Sequence, residues 1–363
     1  MFLKSHFTEC RAPLRVRLLA LNRSISKYAA QRTVIHDTPI VRLTDSEHDV
    51  EVSIVPSFGN RAFEMTVHGE DILYFPFPDV SAVKGLRDLN GIPFLAPWGN
   101  RMAGGGFWAN GKRFSFNNDL GSLRLDKNGL PIHGMLTASP LWSVTDAAAD
   151  ATMAHVTSRF EFWKHPELMA NWPFAHEYEM TYRLESGVLE VSTTITNRSS
   201  QPMPVAIGFH PYFILPGVER DEAVAQIPAR LHVETDSRLI ATGEFKPIQL
   251  PDRITLKEHR FDDGFTDLVR DAKGRAVFSV ESKGRRIEVA FGPRYRVAVV
   301  YAPPGENYIC FEPMTAITNG VNLAHEGKYP DLQTVAPGGQ WHESFWIGTS
   351  GFRSSAAIDE QRA

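Results

Sequence analysis

The chain has 363 residues, 43% of them hydrophobic and 11% aromatic, with a formal net charge of -4 and a pI of about 6.4. That is apolar material for one large core, and the charge balance excludes a basic nucleic-acid footprint or a membrane-surface patch. Two cysteines, Cys10 and Cys310, stand far apart, which excludes a disulfide framework and a thiolate metal site and points to a reducing, cytoplasmic setting.

Residues 1–32 differ from the rest. Lys4, Arg11, Arg15, Arg17, Arg23, Lys27 and Arg32 face a single acid, Glu9. The apolar run around Leu18 is too short for a secretory core, and no run in the chain reaches the length of a membrane-spanning helix. The stretch reads as a basic extension: a mobile tail, an organelle-type presequence, or the product of an upstream start. From there the sequence predicts one domain over 33–350, followed by a small polar tail, 351–363.

Short alternating segments begin at Val34. Val50, Val52 and Ile54 alternate with polar neighbours, as do Phe63, Met65 and Val67, and Ile72 with Tyr74. This period of two predicts antiparallel strands. Residues 76–130 are richer in Pro, Gly and Asn. Gly104-Gly105-Gly106 is not a phosphate loop, since no Lys-Ser/Thr pair and no helix follow. Phe107 to Phe114 predicts a hairpin across Asn110-Gly111, the preferred type I′ pair. A short helical turn is expected in 164–171. Tyr178, Met180, Tyr182 and Leu184, then Leu189, Val191, Thr193 and Ile195, form the clearest hairpin in the chain. Residues 231–243 read as strand, turn, strand, and 261–268 as a carboxylate-dense loop. Strands follow over 277–280, 287–291, 297–301 and the segment ending at Met314, and a last strand carries Trp341, Glu343, Phe345 and Ile347. No amphipathic helix of three turns occurs. The fold class is therefore all-β, a large antiparallel β-sandwich.

Five places carry side chains fit for chemistry. In Pro204-Val-Ala-Ile-Gly-Phe-His-Pro-Tyr-Phe213 a buried strand runs into a turn that Pro211 stiffens, pinning His210 among aromatic rings. An imidazole there is either a general acid or base or the partner of a core hydrogen bond. Glu312 lies between Phe311 and Pro313 at the end of an apolar strand, where a carboxylate needs either an arginine or a function. Arg101, after Gly99-Asn100, is a candidate clamp for hydroxyls or a carboxylate, or an ordinary surface arginine. His133 sits in the tight Leu130-Pro-Ile-His-Gly134. Asp262 and Asp263 precede Gly264, the commonest setting of a simple turn.

Taken in order, these segments resemble the aldose 1-epimerase (galactose mutarotase) family. Gly99-Asn100-Arg101-Met102 is similar to that family's Asn-Arg-Ile segment, and Ile132-His133-Gly134 to its His-Gly segment. Gly208-Phe209-His210-Pro211-Tyr212-Phe213 resembles its acid segment, Asp262-Asp263-Gly264-Phe265 its Asp-His-x-Phe loop, and Phe311-Glu312-Pro313-Met314-Thr315 its Glu-Pro-Met-Thr form. The likeness covers about 34–348. Asp-His is replaced by Asp262-Asp263, so Asp262 is chosen on its spacing to Phe265, with Asp263 the alternative. Trp98 before the Asn-Arg segment and the basic extension are further departures.

The resemblance implies a galactose mutarotase-like sandwich with a carbohydrate cleft on its concave face, and interconversion of the α and β anomers of a free aldose. Glu312 is expected as general base on the anomeric hydroxyl and His210 as general acid on the ring oxygen, the nearby carboxylate favouring the imidazolium. Asn100, Arg101, His133 and Asp262 or Asp263 would hold hydroxyls. Trp98, Phe209, Tyr212 and Phe265 would stack on the sugar. No cofactor and no metal are expected, since only protons move. The expected partner is a small monosaccharide, with no nucleic acid and no membrane, in a monomer or homodimer. The rivals are a hexose-phosphate 1-epimerase using a cluster of Arg101, Arg113 and Arg124, and a non-catalytic carbohydrate-binding module. A module of that kind is expected to lack the acid or the base.

Overall fold

The computed structural model describes residues 26–86 and 88–353. Most of the basic extension and the end of the polar tail lie outside the described residues. The strand Tyr28–Ile35 begins inside the stretch 1–32. Tyr28 is buried and its hydroxyl accepts the Ser186 amide at 3.0 Å, while Arg32 faces solvent. The basic composition there belongs partly to the open side of an edge strand.

Two large antiparallel sheets dominate. One has nine strands, ordered Ile254–Thr255, Val224–Gln226, Ala276–Ser282, Arg285–Phe291, Gln340–Ser350, Val188–Asn197, His176–Glu185, Ala154–Phe160 and Ser143–Ala149. The other has eight. Seven run in the order Ala241–Pro247, Ala229–Thr235, Phe261–Leu268, Val297–Ala302, Ile309–Met314, Gly208–Phe209 and Phe94–Leu95, and Tyr212–Phe213 also pairs with Ile309–Met314. A five-stranded meander from Tyr28–Ile35 to Glu70–Asp71 flanks them. The hairpin of His176–Glu185 and Val188–Asn197 buries every second side chain, as its alternation requires.

The sheets meet through aromatic rings. Phe311 lies 5.7 Å from Phe278, Phe209 4.9 Å from Phe345, and Phe94 5.2 Å from Tyr178, all within the range of favourable ring contacts. Each contact joins the eight-stranded sheet to the nine-stranded one. The inner face of the eight-stranded sheet is thus a dry core. Strand alternation sends the next residue, Glu312 after Phe311, to the opposite face.

Two sequence expectations change here. Residues 261–268 are a strand, Phe261–Leu268, and not a loop. Of its three aspartates, Asp262 lies on the face opposite the core residues Phe261 and Phe265, and Asp263 is paired with His232. The segment around Ile72 forms only the two-residue strand Glu70–Asp71 and a lone bridge from Leu73 to Phe213. Helix is confined to short pieces. The expected helical turn is Pro166–Met169, and an unexpected one is Gly320–His325, neither long and apolar enough to cross a membrane.

Candidate active site

The strand register explains why the two strongest sequence segments meet. Gly208 pairs with Met314 and Tyr212 with Cys310. Carried two residues inward from either end, the same register sets His210 opposite Glu312. Their side chains therefore share one face, and His210 Nε2 lies 3.2 Å from Glu312 Oε1. Gly208 allows this closeness, since a Cβ there would fall 2.0 Å from Met314 Sδ. His210 donates its backbone N–H to Pro93 O at 3.1 Å, which anchors the gap between the two short strands.

The next positions on that face follow from pairing. Val299 faces Glu312 and Gly264 faces Val299, while Tyr301 faces Cys310 and Asp262 faces Tyr301. Asp262 consequently shares the face of Glu312, near enough for its charge to push the Glu312 carboxyl up. Asp263 turns the other way, where His232 Nε2 holds it at 2.9 Å. Register thus separates Asp262, chosen on its spacing to Phe265, from the alternative Asp263.

Two irregular segments cover the face. Residues 92–102 and 130–136 run side by side, bridged at Ala96 with Gly134 and at Arg101 with Ile132. His133 donates its backbone N–H to Asn100 O at 2.9 Å and adopts a φ of 61°. Gly134 follows at φ 65°, with Ala96 O only 2.1 Å from where a Cβ would sit. This packing brings the His133 ring to 5.6 Å from His210, edge to face. Beside the His210–Glu312 pair, which is not part of its lining, Arg101 lines a shallow cleft with Asn100, Asp262, Asp263, Gly264, Val299 and Thr318.

The floor is dry. Glu312 is 1% exposed and His210 7% by side chain. Burial pushes the Glu312 carboxyl well above its ordinary range, the Asp262 charge adds to this, and Arg101 opposes it. Burial likewise pulls the His210 and His133 imidazoles down. Burial therefore outweighs the expected pull of the carboxylate toward the imidazolium. Glu312 Oε2 and His133 Nδ1 are buried with no hydrogen-bond partner among the described residues. With His210 Nδ1, three polar atoms at this contact stand without a partner, although buried polar atoms are almost always paired.

Of the expected stacking residues, Tyr212 lies at the site. Its ring is stacked on His210 at 4.5 Å with an interplanar angle of 6°. Trp98 does not: it is 1% exposed and stacks on Phe116 beside Trp172, so it is a core residue beneath the covering segment. Phe209 and Phe265 are core residues as well, at 0% and 2% exposure, because alternation points them toward the other sheet. Arg113 bonds Gly104 O and Ser115 Oγ in its own exposed hairpin.

Sequence reasoning missed three groups. Asp126 contacts Arg101, but Leu125-Asp126-Lys127-Asn128-Gly129 reads only as a turn. Tyr74, Tyr301 and Tyr308 join Tyr212 in a tyrosine wall, with Tyr308 4.8 Å from Tyr74, 5.0 Å from Tyr212 and 6.1 Å from Tyr301. Tyr301 was findable, being two residues from Val299 on one strand face. Thr318, on the backbone of Arg101, carries no local signal. Among the described residues no cluster of His, Cys, Asp and Glu is arranged to hold a metal ion.

The sequence model of the aldose 1-epimerase family matches residues 41–348. A galactose mutarotase-like protein from Clostridium acetobutylicum superposes with a TM-score of 0.80 at 23% identity, covering 90% of this chain and 99% of its own. A protein from Synechocystis sp. PCC 6803 gives a TM-score of 0.69 at 25% identity over 88% and 97% of the two chains. Galactose 1-epimerase from Lactobacillus acidophilus NCFM gives 0.69 at 14% identity, over 89% and 98%.

Proposed function

The chain belongs to the aldose 1-epimerase family, and on that premise we propose that its cleft interconverts the α and β anomers of a free aldohexose. The observation that carries this reading is the 3.2 Å contact of His210 with Glu312 on a dry floor that leaves Glu312 Oε2 unpartnered. Glu312 takes the proton of the anomeric hydroxyl while His210 gives one to the ring oxygen. The C1–O5 bond breaks, leaving an aldehyde and a C5 hydroxyl. Rotation about C1–C2 presents the other carbonyl face, and the C5 oxygen attacks it. His210 recovers its proton from that oxygen and Glu312 returns one to O1. Proton count and charge are the same at the start and the end, so the cycle closes without a co-reactant.

Arg101, His133, Asn100 and Asp262 supply hydrogen bonds to the sugar hydroxyls, and Tyr212 supplies a ring face. Asp263, turned to the other face and held by His232, is not assigned to the sugar. A sugar presents both polar edges and an apolar face, so a cleft of this mixed lining suits it. Both acid and base are retained, which favours catalysis over a silent binding module.

The reaction leaves composition at equilibrium unchanged, so the test reads exchange and not yield. Two-dimensional proton exchange spectroscopy on equilibrated D-glucose and D-galactose should show α–β cross-peaks between the anomeric protons that grow with protein concentration. Cross-peaks no stronger than in buffer for either sugar would contradict the assignment to these aldohexoses.

A further inference from the structure

Arg101 stands between two carboxylates, and one of them holds it directly. Its Nε donates to Asp126 Oδ2 at 2.8 Å. The Asp126 side chain is 6% exposed, and its other oxygen accepts the N–H groups of Asn128 at 2.8 Å and Leu130 at 2.9 Å. Both oxygens are committed, so the carboxylate cannot swing away. Those bonds and the Arg101 neighbour hold the Asp126 carboxyl below its ordinary range against the opposing effect of burial. The arginine backbone is fixed from the other side by Thr318, whose hydroxyl accepts the Arg101 N–H at 3.2 Å. Among the described residues only Nε of the Arg101 side chain donates a hydrogen bond, and the side chain lines the cleft.

An arginine fixed in this way is a fork of donors without a net charge. Its guanidinium plane is set by the ion pair at Nε, and its remaining N–H groups face the cleft. Such a fork suits the neighbouring hydroxyls of a neutral sugar. It suits a phosphate poorly. A phosphate brings up to two negative charges to a place that already holds Asp126, Asp262 and Glu312. Arg124, Lys127 and Arg260 also lie near enough to act on groups of the site, so the surroundings are not devoid of cations. The contact that decides is the one on the guanidinium itself.

We propose that Asp126 is a positioning and specificity-determining residue, which orients Arg101 toward neutral hydroxyls and cancels its charge so that phosphorylated sugars are refused. This rests on the reading of the cleft as an aldose site and names the class of aldose it accepts. Asp126 touches no substrate; it acts through Arg101.

The test compares wild type, Asp126→Asn, Asp126→Glu and Arg101→Met. Calorimetry gives affinities for D-glucose, glucose 6-phosphate and inorganic phosphate, and polarimetry gives KM and kcat. In Asp126→Asn the amide keeps the turn but offers Nε no carboxylate. The KM for glucose should rise about tenfold with kcat changed less than about threefold, since the chemistry at C1 is elsewhere. The affinity for glucose 6-phosphate and for phosphate should rise about tenfold as the guanidinium charge is unmasked. Asp126→Glu should restore the refusal of phosphate, which a purely structural role would not produce. An affinity ratio of phosphosugar to glucose that stays within twofold of wild type in Asp126→Asn overturns the proposal. Two arms need no Asp126 variant. Wild type must bind glucose more tightly than glucose 6-phosphate, and Arg101→Met must weaken glucose more than phosphate; the reverse of either overturns it. Absence of turnover on every free aldose would remove the epimerase reading, while the binding ratios still decide the role of Asp126.

Discussion

His210 and Glu312 titrate as a unit. The ionic form, imidazolium with carboxylate, and the neutral form, imidazole with carboxylic acid, contain the same single proton. Burial favours the neutral form in the protein alone. On the proposed mechanism, a sugar that donates to Glu312 Oε2 stabilises the carboxylate and so moves the pair toward the ionic form. Burial also opposes both a second proton and the loss of the shared one, because either change leaves a net charge on the floor. The kcat/KM profile should therefore be bell-shaped, with its acid limb below the ordinary histidine value of 6.5 and its alkaline limb above the ordinary carboxyl value of 4.5. A profile measured from about pH 4 to 9, after subtraction of the buffer rate, checks this. A single fall centred near 6.5 would mean an unshifted imidazolium and would contradict the account. At this scale the sequence was legible where a residue's neighbours constrain it. Pro211 and the flanking aromatics mark His210, and the apolar strand marks Glu312. Asp126 was not legible, because a carboxylate that organises a turn and one that also grips an arginine have the same local sequence. Trp98 misled for the opposite reason: a large ring in a Pro-rich loop looks exposed, and only packing against Phe116 and Trp172 reveals it as core.

Elements were read well wherever one face is dry, because burial on alternate residues imposes the period of two. The His176–Glu185 and Val188–Asn197 strands are of this kind. Phe261–Leu268 was read as a loop because Asp262, Asp263 and Asp267 break the apolar pattern. A strand tolerates them since Asp262 faces the cleft and Asp263 bonds His232. Beyond the short strand Phe94–Leu95, the covering segments are irregular and depend on backbone fit instead. Gly134 is their tightest point. An alanine there meets Ala96 O at 2.1 Å and must hold a φ of 65° that a side chain disfavours. Gly134→Ala should cost about 2–4 kcal/mol of stability and raise the KM for sugar, as His133 and Arg101 are carried by the same pair of segments. Chemical denaturation and initial rates test it. A variant as stable as wild type would show that these segments are looser than their contacts imply.

Across the whole molecule, the site exists because two sheets pack through Phe311, Phe278, Phe209 and Phe345, leaving the far side of the eight-stranded sheet to be roofed by loops. The all-β class could be read from alternation alone. The pairing of Ile309–Met314 with both Gly208–Phe209 and Tyr212–Phe213 could not, since long-range register is set by the joint burial of many side chains. That register brings two residues distant in sequence into contact, and the central claim is the proposal that they act as one acid–base pair. Its most direct measurement is polarimetry on freshly dissolved α-D-glucose and α-D-galactose with wild type, His210→Asn and Glu312→Gln. The account predicts that wild type accelerates mutarotation and that each variant lowers kcat by about a hundred- to ten-thousand-fold while remaining folded. A folded His210→Asn or Glu312→Gln that keeps wild-type activity would contradict it.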